Sequence, residues 1–117
     1  MFLEQDERKA GLQINGEPLA IEKRIHQKNQ NDEIILTIYH YPRDGGGGLF
    51  FYSVQIHLGR LIRSVFPRDM SDSFSTMWDA KIAANRCLRQ LAKNSPAAKK
   101  RLEKFDLLQI YQREFDF

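Results

Sequence analysis

The residues of this chain with the most familiar chemistry are three histidines, one cysteine and a run of four glycines, and their spacing supports none of that chemistry. His26, His40 and His57 stand apart, with no second His, Cys or carboxylate cluster at ligand spacing, so no metal site is expected. Cys87 is the single cysteine. It has no His or acid at a recognisable spacing and reads as a core thiol rather than a nucleophile. Gly45 to Gly48 is not followed by Gly-Lys-Ser/Thr and has no βαβ setting, so it reads as a mobile hairpin tip rather than a phosphate loop. No Gly-x-Ser-x-Gly elbow is present. The expectation is a protein that is not an enzyme, with no catalytic residue and no cofactor.

Stacking and charge remain. Period-two alternation places Tyr39, Phe51 and Phe66 in a row on one sheet face, where unpaired bases could stack on them. Arg43 flanks the glycine tip, His57 and Arg60 sit at a turn, and Lys99, Lys100 and Arg101 crowd the start of a helix, where positive charge opposes the helix dipole. These nine residues form the expected nucleic-acid-binding set. The basic residues are concentrated: residues 76–104 hold eight Lys/Arg against two Asp/Glu, whereas residues 1–33 hold five against seven, in a chain of net charge +3. A solvated helix face would look the same; a polyanion site is the sharper reading.

The elements that position these residues begin with the stretch Ile34 to Phe66, which alternates at period two over three runs. Pairing Ile34 to Tyr41 against Leu49 to Ile56 sets Ile34, Leu36, Ile38 and His40 opposite Ile56, Val54, Tyr52 and Phe50, and a one-residue slip would turn all of them to the wrong side. A turn over His57 to Arg60, with Gly59 taking positive φ, would set Leu61 beside Ile56, Arg63 beside Val54 and Val65 beside Tyr52. Pro18 to Gln27 reads as a first strand, with Leu19, Ile21 and Ile25 on one side and Glu22, Arg24 and His26 on the other. Lys23 marks it as an edge. The second face also carries Thr37, Ser53, Ser64, Ile35, Gln55 and Ile62. It is half apolar, and its cover is the C-terminal segment, a twin subunit or stacked bases.

After the sheet, Ser75 reads as a helix N-cap, with Asp79 in the first turn. Ala80, Ala83, Ala84, Cys87, Leu88 and Leu91 form an inner stripe, with Lys81, Asn85, Arg89 and Lys93 outside. Ser95-Pro96 opens a second helix whose inner face runs through Ala98, Leu102, Phe105 and Leu108. Beyond Phe105 the pattern fits helix or strand, and helix to about Arg113 is the expectation.

At 117 residues and 42% hydrophobic content, the chain suits one α+β domain over residues 17–117 behind a flexible tail, residues 1–16. The expected fold is a four-stranded antiparallel β-meander, then one amphipathic helix packed on the sheet and a second C-terminal helix. No apolar run approaches the roughly 20 residues of a membrane helix, and residues 1–11 lack the basic start and apolar stretch of a signal peptide, so a cytoplasmic location without membrane association is expected. The order β-β-β-β-α over residues 18–93 resembles that of small single-stranded nucleic-acid binders of the PUR-repeat and Whirly type, which generally dimerise. No residue role is carried over from that likeness. HicB-like antitoxins likewise run strands into a helix opened by a phrase similar to Ser73-Phe74-Ser75-Thr76-Met77. The sequence therefore points to a non-enzymatic module binding single-stranded DNA or RNA, expected as a homodimer. The alternative is a protein-interaction or assembly domain, homodimerising or antitoxin-like, with no nucleic-acid contact.

Overall fold

The computed structural model describes residues 19–42 and 48–105. Strands β1 (Leu19–Asn29), β2 (Asp32–Pro42), β3 (Gly48–Leu58) and β4 (Leu61–Val65) form one antiparallel sheet in the order β1-β2-β3-β4. A short 3-10 helix (Met70–Asp72) leads to helices α1 (Met77–Ala92) and α2 (Pro96–Leu102). This is the α+β meander-plus-two-helix architecture expected from the sequence. The tail of residues 1–16, Arg43 with the glycine tip before Gly48, and the reading beyond Phe105 lie outside the described residues.

β2 and β3 pair as Ile34↔Ile56, Leu36↔Val54, Ile38↔Tyr52 and His40↔Phe50, the register demanded by their hydrophobic pattern. The first sheet face carries the core. Ile34, Leu36, Val54, Ile56 and Leu58 pack there with Ala84, Leu88, Ala92, Ala98, Leu102 and Phe105. Ala80, Ala84, Leu88 and Ala92 recur every four residues along α1 and are fully buried, so small side chains let the helix lie close to β3. Thr76, not Ser75, caps α1: its Oγ1 accepts from the Asp79 amide at 3.0 Å, which satisfies one of the orphan donors of the first turn. Ser95 caps α2 by accepting from the Ala98 amide at 3.2 Å, with Pro96 following it.

Three sequence expectations are corrected. β4 is displaced by two residues: Val65 faces Val54, Arg63 faces Ile56 and Leu61 faces Leu58. The tight turn is therefore Gly59-Arg60, with Gly59 at φ 66°, as a type II′ hairpin requires at its first central position. A bulge between Ala20 and Glu22 puts an extra residue into β1, so Ile21 and Ile25 no longer share a side and Glu22, Arg24 and His26 fall beside Ile38, Leu36 and Ile34. Lys81 and Asn85 face inward, at 6% and 8% exposure. Lys81 Nζ lies 2.8 Å from Glu22 Oε2, while Arg24 Nε donates to Glu22 Oε1 at 2.6 Å. Burial of Glu22 favours its neutral form, but the hydrogen bonds from Lys81 and Arg24 outweigh it and hold the carboxyl below its ordinary value.

The second sheet face is covered over β2 and β3, while Ile25 and Ile62 at its margins stay exposed at 40% and 44%. Ile35, Thr37, Phe51, Ser53 and Gln55 are each 0% exposed, and Tyr39 and Ser53 share a 3.0 Å hydrogen bond between their hydroxyls. His40 is half-buried and stacks on Phe50 at 4.9 Å. Cys87 is half-buried and packs, like Tyr52, against the core; burial pushes both groups up, Tyr52 to about 12.

A basic cleft between the two helices

The most concentrated chemistry in the described structure arises where α1 turns into α2. Arg86, Arg89, Gln90 and Lys93 follow the i, i+3, i+4, i+7 spacing of one helical face. The turn through Asn94 and the Ser95-Pro96 start of α2 then brings Lys99, Leu102 and Glu103 against that face. Together these seven residues line a cleft of about 460 Å³. Leu102, buried at 6% exposure, supplies an apolar wall, while Arg86, Arg89, Lys93 and Lys99 are exposed. Among the described residues these four cations make no ion pair, and Glu103 is the one carboxylate lining the cleft. Four positive charges against one negative attract anions over a range set by the Debye length, about 8–10 Å at physiological salt.

The structure sorts the sequence-derived residues into distinct groups. Lys99 lines the cleft, and Lys100 is exposed beside it. Arg101 is turned away: its Nη1 donates to Asp32 Oδ1 at 2.8 Å. Asp32 is 6% exposed and also accepts from Asn29 Nδ2 at 2.9 Å. Burial raises the Asp32 pKa, and the hydrogen bonds from Arg101 and Asn29 outweigh it, leaving the carboxyl below its ordinary value. Arg101 also lies over the β3–β4 turn, where a Cβ on Gly59 would come within 2.8 Å of its Nε. Arg101 is thus a clasp holding α2 to the sheet, not a free phosphate contact. Arg60 is exposed at the adjacent turn and His57 is half-buried.

The aromatic row does not exist as a solvent-facing platform. Tyr39 and Phe51 are cross-strand partners, but Phe51 has no exposed surface and offers no ring face to a base. Phe66 lies one residue past the end of β4 and, because of the two-residue displacement, is not opposite Phe51. It instead lines a separate cavity with Tyr52 and Phe74. Arg86 was the cleft residue least visible in the sequence; the signal that finds it is its spacing from Arg89 and Lys93.

Among the described residues no group of three or more His, Cys, Asp or Glu side chains could hold a metal ion, and no helix is long and apolar enough to cross a membrane. Comparison of the chain with protein-family models, curated proteins and solved structures finds no match to any of them.

Proposed function

We propose that this protein is a non-enzymatic nucleic-acid-binding module, acting on single-stranded DNA or RNA, whose α1–α2 cleft holds the phosphate backbone. The observation that carries this reading is the convergence of Arg86, Arg89, Lys93 and Lys99 on one cleft with no ion pair among the described residues. Spaced exposed cations are what a repeating phosphate chain needs, and each contact gains by releasing counterions. Base contact through Phe51 is not part of the proposal. Fluorescence anisotropy with labelled oligonucleotides at several salt concentrations tests it: binding must weaken steeply with salt, and absence of binding at about 50 mM salt contradicts it.

A second reading, a homodimerising assembly domain, draws on the outer edge of the sheet. β1 is an edge strand of 11 residues with Ile21 and Ile25 exposed at 46% and 40%. Antiparallel pairing of this edge with the same edge of a second copy would give its open backbone donors and acceptors partners and bring the exposed isoleucines of the two copies near one another. Sedimentation at micromolar concentration separates the two cases, since a single species of 13.7 kDa excludes the dimer.

A further inference from the structure

We propose that the cavity at the exit of β4 is a pocket for one unpaired nucleobase, an inference that rests on the nucleic-acid reading of the α1–α2 cleft. The cavity measures about 470 Å³ and is lined by three aromatic residues, Tyr52, Phe66 and Phe74, with Arg68, Asp72 and Ser73 among its polar lining. Its size lies within the roughly 300–1,000 Å³ of small-molecule sites. Three aromatic rings in one concavity suit a flat, polarisable ligand. The hydroxyl of Ser73 offers a donor and an acceptor that can read a base edge.

The walls are held in place before any ligand arrives. Phe74 is fixed to Phe50 by two backbone hydrogen bonds of 2.8 Å, and its ring lies 6.0 Å from that of Tyr52. Tyr52 in turn packs against the core that Ala84 and Leu88 of α1 help to form. The connecting loop is stapled by Asp69, which accepts from the Ser71 amide at 2.8 Å, and by Asp72. The Asp72 carboxylate takes the Arg68 amide at 2.9 Å, its Nε at 3.1 Å and its Nη2 at 3.0 Å. That fork fixes the Arg68 guanidinium at the rim while leaving the side chain 78% exposed. A planar cation so placed can lie on a base or meet the phosphate beside it.

The choice of a nucleobase over another flat ligand follows from the basic cleft further along α1. From Met77 at the start of α1 to Arg86 in the cleft is nine residues, about 14 Å along the helix axis at 1.5 Å per residue. That is about four nucleotides of a stacked strand at 3.4 Å each. A single strand running along α1 would engage a base at Phe66 and Phe74 and its phosphates at the cleft. A duplex keeps its bases paired and has none to offer.

The test uses the full chain and a 15-nucleotide oligothymidine carrying a single 2-aminopurine, read by 2-aminopurine emission and by anisotropy of an end label, with the complementary duplex as comparison. Wild-type protein should quench the 2-aminopurine on binding and should prefer the single strand. Phe66→Ala and Arg68→Ala should each weaken binding about 10-fold, with the quenching lost in Phe66→Ala and the salt dependence little changed in it. Arg68 is exposed, so its variant keeps the test decisive if Phe66→Ala fails to fold. Strong salt-dependent binding without quenching, equal affinity for duplex, or wild-type affinity in both variants would overturn the pocket and leave the cleft standing. No binding of either strand form would overturn both.

Discussion

Replacing Arg101 by Ala should destabilise the protein far more than replacing its neighbour Lys100. The Asp32 side chain keeps only 8% of its surface, whereas that of Arg101 keeps 39%. Breaking a fully buried pair costs about 3–5 kcal/mol, mostly through the charge left behind. Here the solvent around the guanidinium screens part of that, so Arg101→Ala should cost about 2–3 kcal/mol and Lys100→Ala less than about 0.5 kcal/mol. Asp32→Asn should cost less than Arg101→Ala, since the arginine it leaves can still reach water. The pair also has a pH signature. Because the Asp32 carboxyl is depressed in the folded state from 3.8, its contribution is present above the unfolded value and is lost as pH falls through the folded one. Urea melts at pH 7 and at about pH 3 read both effects, and in Arg101→Ala this part of the acid sensitivity should vanish. Equal, small losses for Arg101→Ala and Lys100→Ala, or an unchanged pH dependence, would refute the clasp.

Two further substitutions probe the packing. Leu88→Ala, at a fully buried position of α1, should cost about 2–5 kcal/mol, while Arg89→Ala one residue on should be nearly neutral in thermal melts; similar effects would mean the helix face is misassigned. Phe51→Ala should behave as a core truncation of about 3–5 kcal/mol rather than as a local loss of base stacking. A folded variant of unchanged stability but weakened oligonucleotide binding would restore the sheet-face reading.

The parts of the fold legible in the sequence are those where both faces of an element constrain it. β2 and β3 alternate over long runs that must satisfy two buried faces, so only one register fits. β4 is five residues long, and shifting it by two residues keeps every side chain on its own face. Alternation therefore cannot distinguish Leu58-Gly59 from Gly59-Arg60 as the loop. The bulge at Ile21 hides for a related reason, because Leu19, Ile21 and Ile25 read as one stripe whether or not a residue is inserted. Lys81 was assigned outward by its charge; its inward place depends on Glu22, which reaches the helix-facing side only through that bulge. The site was legible as a basic segment but not as a cleft, because the approach of α2 to α1 is set by packing of Ala98 and Leu102. Arg101 could not be separated from Lys99 and Lys100, since its partner Asp32 lies 69 residues away.

Arg86, Arg89, Lys93 and Lys99 are proposed to hold a phosphate backbone. That role is tested most directly by the salt dependence of oligonucleotide affinity in the wild type and in the fourfold Ala variant. Single strands lose about 0.7 in log K per phosphate contact for each unit of log salt, so four contacts give a slope near −2.8 and about a 50-fold loss between 50 and 200 mM salt. All four side chains are exposed, so the variant should keep the wild-type circular dichroism and melting temperature. In that variant the slope should flatten towards zero and the affinity at 50 mM should fall by at least the same roughly 50-fold. A wild type that does not bind at 50 mM salt, or a folded fourfold variant that keeps the wild-type slope, would contradict that role.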